Sequence, residues 1–170
     1  LTPLEGSKVA LAYLSEAEKL LKTIEVISEE YFKQTVFLRP VDVPGIYCLE
    51  VPKFNQKTGD DMLILLDFIL KQGDDKGLIL DFRNNPGGPP LAAREISAFF
   101  LTPKEEFAYF QRKGRPKASL DIPEVPEKYR YHKPIVILIN DKSGSASELF
   151  SGAMQRKARA YVMGVNSAGA

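Results

Sequence analysis

The chain has 170 residues, of which 44% are hydrophobic and 26% charged, a balance typical of globular proteins rather than disordered or fibrous ones. Lys and Arg number 23 and Asp and Glu 22, so a net charge of +1 gives no global field that would draw the chain to nucleic acid or an anionic membrane. Its apolar runs are too short for a membrane-spanning helix. The single cysteine, Cys48, and the single histidine, His132, exclude an internal disulfide, a cysteine-based metal site and a two-histidine metal site. We therefore expect no metal and no cofactor.

The first 44 residues predict a small α+β segment. Its predicted elements are, in chain order, a helix over 16–22 that Ser15 and Glu18 cap and short strands over 24–27 and 35–38. A stretch rich in proline and glycine follows at 39–45, and such stretches favour domain boundaries. The expected domains are therefore residues 1–44 and 45–170.

From residue 46 onward, predicted strands and helices alternate. The predicted strands are 46–51, 77–82, 107–111, 134–139 and 160–163, and the predicted helices are 58–71 with Thr58 as cap and Gly73 as stop, a second ending near 100, and 145–157. Alternation of this kind predicts an α/β fold with a mainly parallel sheet and right-handed crossovers. Strands 77–82 and 134–139 are apolar almost throughout, which is typical of a sheet covered on both faces.

Two strand-to-helix turns carry the residues that could perform chemistry. The first, at 81–88, ends in Gly87 and Gly88, and paired glycines let the backbone approach a ligand and direct N–H groups at it. The second, at 141–148, places Ser145 where a serine nucleophile could use the free N–H groups of a helix N-terminus. Taken singly, these motifs are better explained by a tight turn and a helix cap. Both turns are expected at the carboxyl edge of the sheet, where open α/β sheets bind ligands.

Together, the stretches 77–88 and 134–148 closely resemble the carboxyl-terminal processing (tail-specific) serine proteases. The resemblance extends over about 45–170 and implies a crotonase/ClpP-like core with endopeptidase activity on polypeptides that end in apolar tails. It further implies a location outside the cytoplasm, in a bacterial envelope or a lumen. Residues 1–40 are similar to the closing part of the PDZ domain that precedes the core in this family; an unrelated N-terminal cap is the alternative.

The same resemblance implies roles for individual residues. The family motif places the nucleophile at Ser145 and the oxyanion-hole N–H groups at Ala146 and at Gly87 or Gly88. The family's base, a lysine whose pKa burial lowers, falls on Ala170, the last residue. Three explanations stay open: an inactivating replacement, a branch of the superfamily that uses a histidine from elsewhere, or a base beyond residue 170 in a core that is incomplete at its C-terminus.

Other residues of the chain are poor candidates for the base. His132 precedes a strand of about six residues, which spans roughly 20 Å, so we expect it at the edge away from Ser145. Lys142 is nearer, but an exposed lysine stays protonated, with a pKa near 10.4. The chain alone is thus expected to have little or no peptidase activity. The alternatives are an inactive binding module for a peptide or apolar ligand, similar to the retinoid-binding repeats of the eye, and a crotonase-type acyl-CoA enzyme.

Overall fold

A computed structural model describes residues 7–14, 19, 21–27 and 33–170, which belong to two compact units that divide between Phe32 and Lys33. The described part of the first unit consists of two strands, β1 (Lys8–Leu14) and β2 (Leu21–Ile27). They pair in antiparallel register, which makes this unit a two-stranded sheet where it is described.

The predicted helix over 16–22 is wrong where the structure describes it. Lys19 has a φ of 53°, and Leu21 and Lys22 begin β2; residues 16–18 and 20 lie outside the described residues. The capping signal at Ser15 is local, and pairing with β1 overrides it in a segment that carries β-branched Thr23, Ile24, Val26 and Ile27. The predicted strand over 24–27 is confirmed within β2, and the PDZ assignment stays a prediction.

The second unit has a regular alternation of strands and helices. Its elements are β3 (Phe37–Arg39), β4 (Ile46–Glu50), α1 (Thr58–Gln72), β5 (Gly77–Asp81), α2 (Pro90–Ser97), β6 (Glu106–Phe110), β7 (Ala118–Asp121), a 3₁₀ turn (Glu127–Tyr129), β8 (Ile135–Ile139), α3 (Ala146–Arg156) and β9 (Tyr161–Gly164). Five strands form one sheet in the order β3-β4-β5-β8-β9. Only β3 is antiparallel to its neighbour, so the predicted mainly parallel sheet is confirmed. Because β3 belongs to this sheet, the sheet contains residues from both sides of the predicted boundary at 44–45.

The helices lie together on one face of the sheet. Each one connects neighbouring parallel strands, and right-handed crossovers place such helices on the same side; α2 packs between α1 and α3. The residues that fill the space between helices and sheet are fully buried and apolar: Leu49, Met62, Leu66, Ile69, Leu80, Ala93, Ile96, Ile137, Phe150 and Met154. At the carboxyl edge, the Phe82 ring stacks edge-on against Phe54 and Phe150, with ring centroids 5.5 and 5.3 Å away.

The opposite face of the sheet is only partly covered within residues 33–170. Ile79 and Val136 are half-buried there, whereas Tyr161 and Met163 are 79% and 56% exposed. The expectation of a sheet covered on both faces is thus met on the helix face alone. No helix in the described ranges is long and apolar enough to cross a bilayer.

The other predicted elements, including the strand predicted over 35–38, agree with the structure to within two residues at each end, and three differences are larger. Thr58 does not cap α1. Its Oγ1 accepts the Asn55 N–H at 2.8 Å and lies 2.8 Å from Thr35 Oγ1, so Thr58 links the loop before α1 to the segment that precedes β3. The second helix ends at Ser97 rather than near 100, and β7 was not predicted. The stop at Gly73 is confirmed by its left-handed φ of 73°.

We expect Phe82→Ala to lower the free energy of unfolding by about 3–5 kcal/mol, because it removes a fully buried ring and its two edge-on contacts. Phe68→Ala is the matched control: Phe68 is 46% exposed on α1, and its loss should cost about 1 kcal/mol or less. Urea denaturation measures both, and similar losses for the two variants would contradict this account of the core.

Candidate active site

The two strand-to-helix turns lie side by side, and one buried residue, Asn85, binds both of them through its backbone carbonyl and its side chain. Asn85 is fully buried, and its backbone carbonyl accepts the Gly144 N–H at 2.9 Å and the Ser147 hydroxyl at 3.0 Å. Its side-chain Oδ1 accepts the Gly87 N–H at 2.8 Å, and its amide nitrogen donates to the carbonyl of Val51. Asn85 therefore fixes the end of β4, the glycine turn and the serine turn relative to one another.

A second set of hydrogen bonds, between Asn84 and Asn140, also connects these two turns. The Asn84 N–H donates to Asn140 Oδ1 at 2.8 Å, and the Asn140 side-chain amide donates to Asn84 Oδ1 at 3.0 Å. Asn84 has a φ of 62°, a left-handed conformation that asparagine tolerates better than most residues. Beneath them, the buried Ser143 hydroxyl donates to the Phe82 carbonyl at 2.8 Å. The two turns are thus held together on both sides.

Ser145 stands at the N-terminus of α3, as the sequence predicts. Its φ of 52° and ψ of −114° lie outside the helical and strand regions. A strained strand-to-helix turn of this kind presents a nucleophilic serine in other hydrolases. The predicted capping box with Glu148 is present, and Glu148 Oε2 accepts the Ser145 N–H at 2.7 Å.

The glycine turn lies directly against Ser145. A Cβ on Gly87 would be 2.7 Å from Ser145 Cβ and 2.8 Å from the Ala146 nitrogen, and a Cβ on Gly88 would be 2.2 Å from the Phe54 carbonyl oxygen. Both glycines also have left-handed φ angles, 98° and 149°. Only glycine fits at these two positions. The short distances from Gly87 to Ser145 and Ala146 confirm the predicted proximity of Ser145 and the glycine turn.

The three predicted oxyanion-hole donors are not equivalent. The Gly87 N–H is already bonded to Asn85. The N–H groups of Gly88 and Ala146 make no hydrogen bond within residues 33–170. For Ala146 this follows from its position as the first residue of α3, where helical N–H groups have no partner within the helix. The geometry therefore favours Gly88 over Gly87 as the partner of Ala146.

After β9 the chain returns to the serine turn. The Ala168 N–H donates to the Ser143 carbonyl at 2.9 Å. A Cβ on Gly144 would lie 3.5 Å from Ala168 Cβ and 3.9 Å from Ala170 Cβ. The position at which the resemblance places the lysine is thus next to the serine turn, and alanine occupies it.

Glu148 holds this returning segment by accepting hydrogen bonds from it. The donors are the Ser167 hydroxyl and the Gly169 N–H to Oε1, each at 2.7 Å, and the Ala170 N–H to Oε2 at 3.1 Å. Burial raises the pKa of the Glu148 carboxyl, but the hydrogen bonds from Ser167, Gly169, Ser145 and Ala170 outweigh burial and hold its pKa below the usual value. Glu148 is therefore a carboxylate at neutral pH.

No lysine or histidine side chain is hydrogen-bonded to Ser145 in the part of the chain that the structure describes. His132 lies before β8, at the opposite edge of the sheet as predicted, and its Nε2 contacts Glu127 Oε1 at 2.7 Å. Lys142 is exposed in the serine turn. Among the described residues, no three His, Cys, Asp or Glu side chains come together to hold a metal ion.

Sequence reasoning found Ser145 and the glycines but missed Asn85, Ser143 and the second role of Glu148. The only signal for Asn85 was an asparagine after a buried strand, within a turn that ends in two glycines. Nothing in the spacing of 145–148 indicates that Glu148 also binds residues near 170.

Comparison with known proteins places this chain in a family. Residues 45–170 match the model of Peptidase family S41. The carboxyl-terminal-processing protease of Picosynechococcus sp. is 26% identical over 167 residues, which cover 97% of this chain and 39% of that protein. The "Probable CtpA-like serine protease" of Staphylococcus epidermidis is 31% identical over 147 residues, 86% of this chain and 28% of that one.

A solved structure gives the same result for the fold. The photosystem II D1 C-terminal processing protease superposes with a TM-score of 0.64 at 22% identity, covering 96% of this chain and 45% of that protein. This chain therefore spans less than half the length of each of these three proteins.

We expect Asn85→Ala to lower the free energy of unfolding by about 2–4 kcal/mol, because it leaves the buried N–H of Gly87 and the buried carbonyl of Val51 without partners. The exposed Asn166 provides the control, and Asn166→Ala should change stability by about 0.5 kcal/mol or less. Guanidinium denaturation compares the two; a loss below about 1 kcal/mol for Asn85→Ala would show that the Asn85 side chain does not hold the glycine turn to the end of β4.

Proposed function

Because the chain belongs to Peptidase family S41, we propose that it forms the core of a serine endopeptidase with Ser145 as the nucleophile. One observation carries the proposal: Ser145, in a strained turn at a helix N-terminus, lies against the Gly87–Gly88 turn beside two unbonded N–H groups. This arrangement is what attack on a peptide carbonyl needs, since negative charge develops on the carbonyl oxygen.

In the proposed reaction, Ser145 Oγ attacks the scissile carbonyl and the N–H groups of Gly88 and Ala146 bind the resulting oxyanion. Donors of this kind act at about 2.7–3.1 Å from the oxyanion, and each contributes about 10²–10³-fold to kcat. The α3 N-terminus adds the positive end of its dipole. Because Asn85 and the buried core hold both turns, the donors need little rearrangement during the reaction.

The serine proton needs a base, and we propose that a residue beyond Ala170 or a histidine from another part of a longer polypeptide supplies it. Two facts support this proposal. The relatives are more than twice as long as this chain, and Ala170, at the position of the family's lysine, lies close to the serine turn. A natural or introduced inactivation at Ala170 is the competing explanation.

We propose polypeptides with apolar carboxyl-terminal tails as substrates and a location outside the cytoplasm. Both proposals rest on the resemblance and on the relatives described as carboxyl-terminal-processing proteases. Ser145, Gly88 and Ala146 act on a peptide carbonyl and select no particular tail, so tail selection belongs to other parts of the protein.

The test compares the 170-residue chain with a longer polypeptide that continues past Ala170, using an unstructured peptide with an apolar carboxyl terminus. We expect turnover by the longer polypeptide, little or none by the 170-residue chain, and a loss of about 10⁴-fold or more for Ser145→Ala. Ser151→Ala is the control, because Ser151 lies on the same helix and its buried hydroxyl has no hydrogen-bond partner among the described residues.

Turnover that survives Ser145→Ala would remove Ser145 as the nucleophile. Robust turnover by the 170-residue chain that Ser145→Ala abolishes would show that the base lies within it, and Lys142 would be the first residue to replace. Binding of the peptide without hydrolysis by either polypeptide would favour the inactive binding module.

A further inference from the structure

We propose that Glu148 is a positioning residue: it docks the segment 167–170 against the serine turn, so that the polypeptide following Ala170 starts beside the nucleophile. The value of this docking for catalysis rests on the proposed function. The docking itself does not, and it can be measured separately.

Glu148 makes more hydrogen bonds than a helix cap requires. In a capping box the glutamate accepts one N–H, that of the N-cap residue, here Ser145. Glu148 accepts three further donors, from Ser167, Gly169 and Ala170. Two ionised oxygens offer about four acceptor positions, so the carboxylate is fully used.

One carboxylate oxygen of Glu148 binds both Ser145 and the segment 167–170. Oε2 accepts both the Ser145 N–H at 2.7 Å and the Ala170 N–H at 3.1 Å. The backbone nitrogens of Ser145 and Ala170 can therefore be no farther apart than the sum of these two hydrogen-bond distances. A side chain carried by a residue at or just after 170 therefore begins close to Ser145.

Little else holds the segment in place. Its residues 168–170 are exposed, and its other described backbone bond joins the Ala168 N–H to Ser143. A cavity of about 150 Å³ adjoins Glu148 and Ser167, between α3 and the strands β8 and β9. Because side chains do not fill this space, the docking depends on hydrogen bonds to Glu148 more than on apolar packing.

Glu148→Gln tests this role with almost no change in shape. Glutamine keeps one oxygen and replaces the other with an NH₂ group, which would face two N–H or O–H donors instead of accepting from them. Ser167→Ala removes a single donor and leaves α3 unchanged. Glu124→Gln is the matched control for lost charge, since Glu124 is an exposed partner of Lys104.

The measurement is amide hydrogen exchange at 145–149 and at 168–170 in the 170-residue chain. We expect Glu148→Gln to speed exchange at 168–170 by about tenfold, the effect of losing one hydrogen bond to a charged group. Ser167→Ala should give a smaller increase there with no change at 145–149, and Glu124→Gln should change neither region. Should Glu148→Gln fail to fold, the Ser167→Ala result decides.

Faster exchange confined to 145–149 in Glu148→Gln would reduce Glu148 to a helix cap and overturn the proposal, as would unchanged exchange at 168–170 in both variants. In the longer polypeptide, docking predicts a lower kcat with KM unchanged for Glu148→Gln. If the exchange results hold but that polypeptide hydrolyses nothing, the docking stands and the proposed peptidase function fails.

Discussion

The site depends on hydrogen bonds that the buried Asn85 makes with three chain segments at once. Its side chain binds the end of β4 through Val51 and the glycine turn through Gly87, and its carbonyl binds the serine turn through Gly144 and Ser147. Separating any of these segments would leave a buried polar group without a partner, which costs about 1–3 kcal/mol for each group. This cost keeps the N–H groups of Gly88 and Ala146 in place, and in the proposed reaction donors held in this way need no rearrangement in the transition state.

The strained backbone at the site is supported by the parallel sheet beneath it. Pairing of Asp81 with Leu138 brings the ends of β5 and β8 to the same edge, so both turns leave the sheet at one place. Phe82, which follows β5, donates its N–H to the Leu138 carbonyl at 2.9 Å and buries its ring completely. Unfavourable conformations such as that of Ser145 cost about 1–3 kcal/mol each and persist only where the surroundings determine them. The buried edge and its hydrogen bonds meet that condition here.

The sequence predicts those parts of the fold and the site that local patterns determine. Apolar strands between amphipathic helices were enough for the parallel sheet, and the motifs around Ser145 and Gly87–Gly88 were enough to place both at one edge. The helix predicted over 16–22 failed at Leu21 and Lys22 because its capping signal is local, whereas pairing with β1 places these two residues in a strand. The choice of Gly88 over Gly87 depends on the direction of one asparagine side chain. The donors to Glu148 could not be predicted because they lie about 20 residues away, and only the folded chain brings them there.

In the proposed enzyme, the two chemical tasks of a serine hydrolase depend on parts of the structure that are held in place to different degrees. Oxyanion stabilisation uses backbone groups of turns that buried residues hold on several sides, so few substitutions there are compatible with the fold. Proton removal depends on a base that the proposal places beyond Ala170 or elsewhere in a longer polypeptide, and the segment 167–170, which lies next to the serine turn, is exposed and held mainly by one carboxylate. A substitution at residue 170 is therefore compatible with an unchanged sheet, glycine turn and Ser145. The structure carries alanine at this position and keeps the N–H groups of Gly88 and Ala146 unbonded beside Ser145.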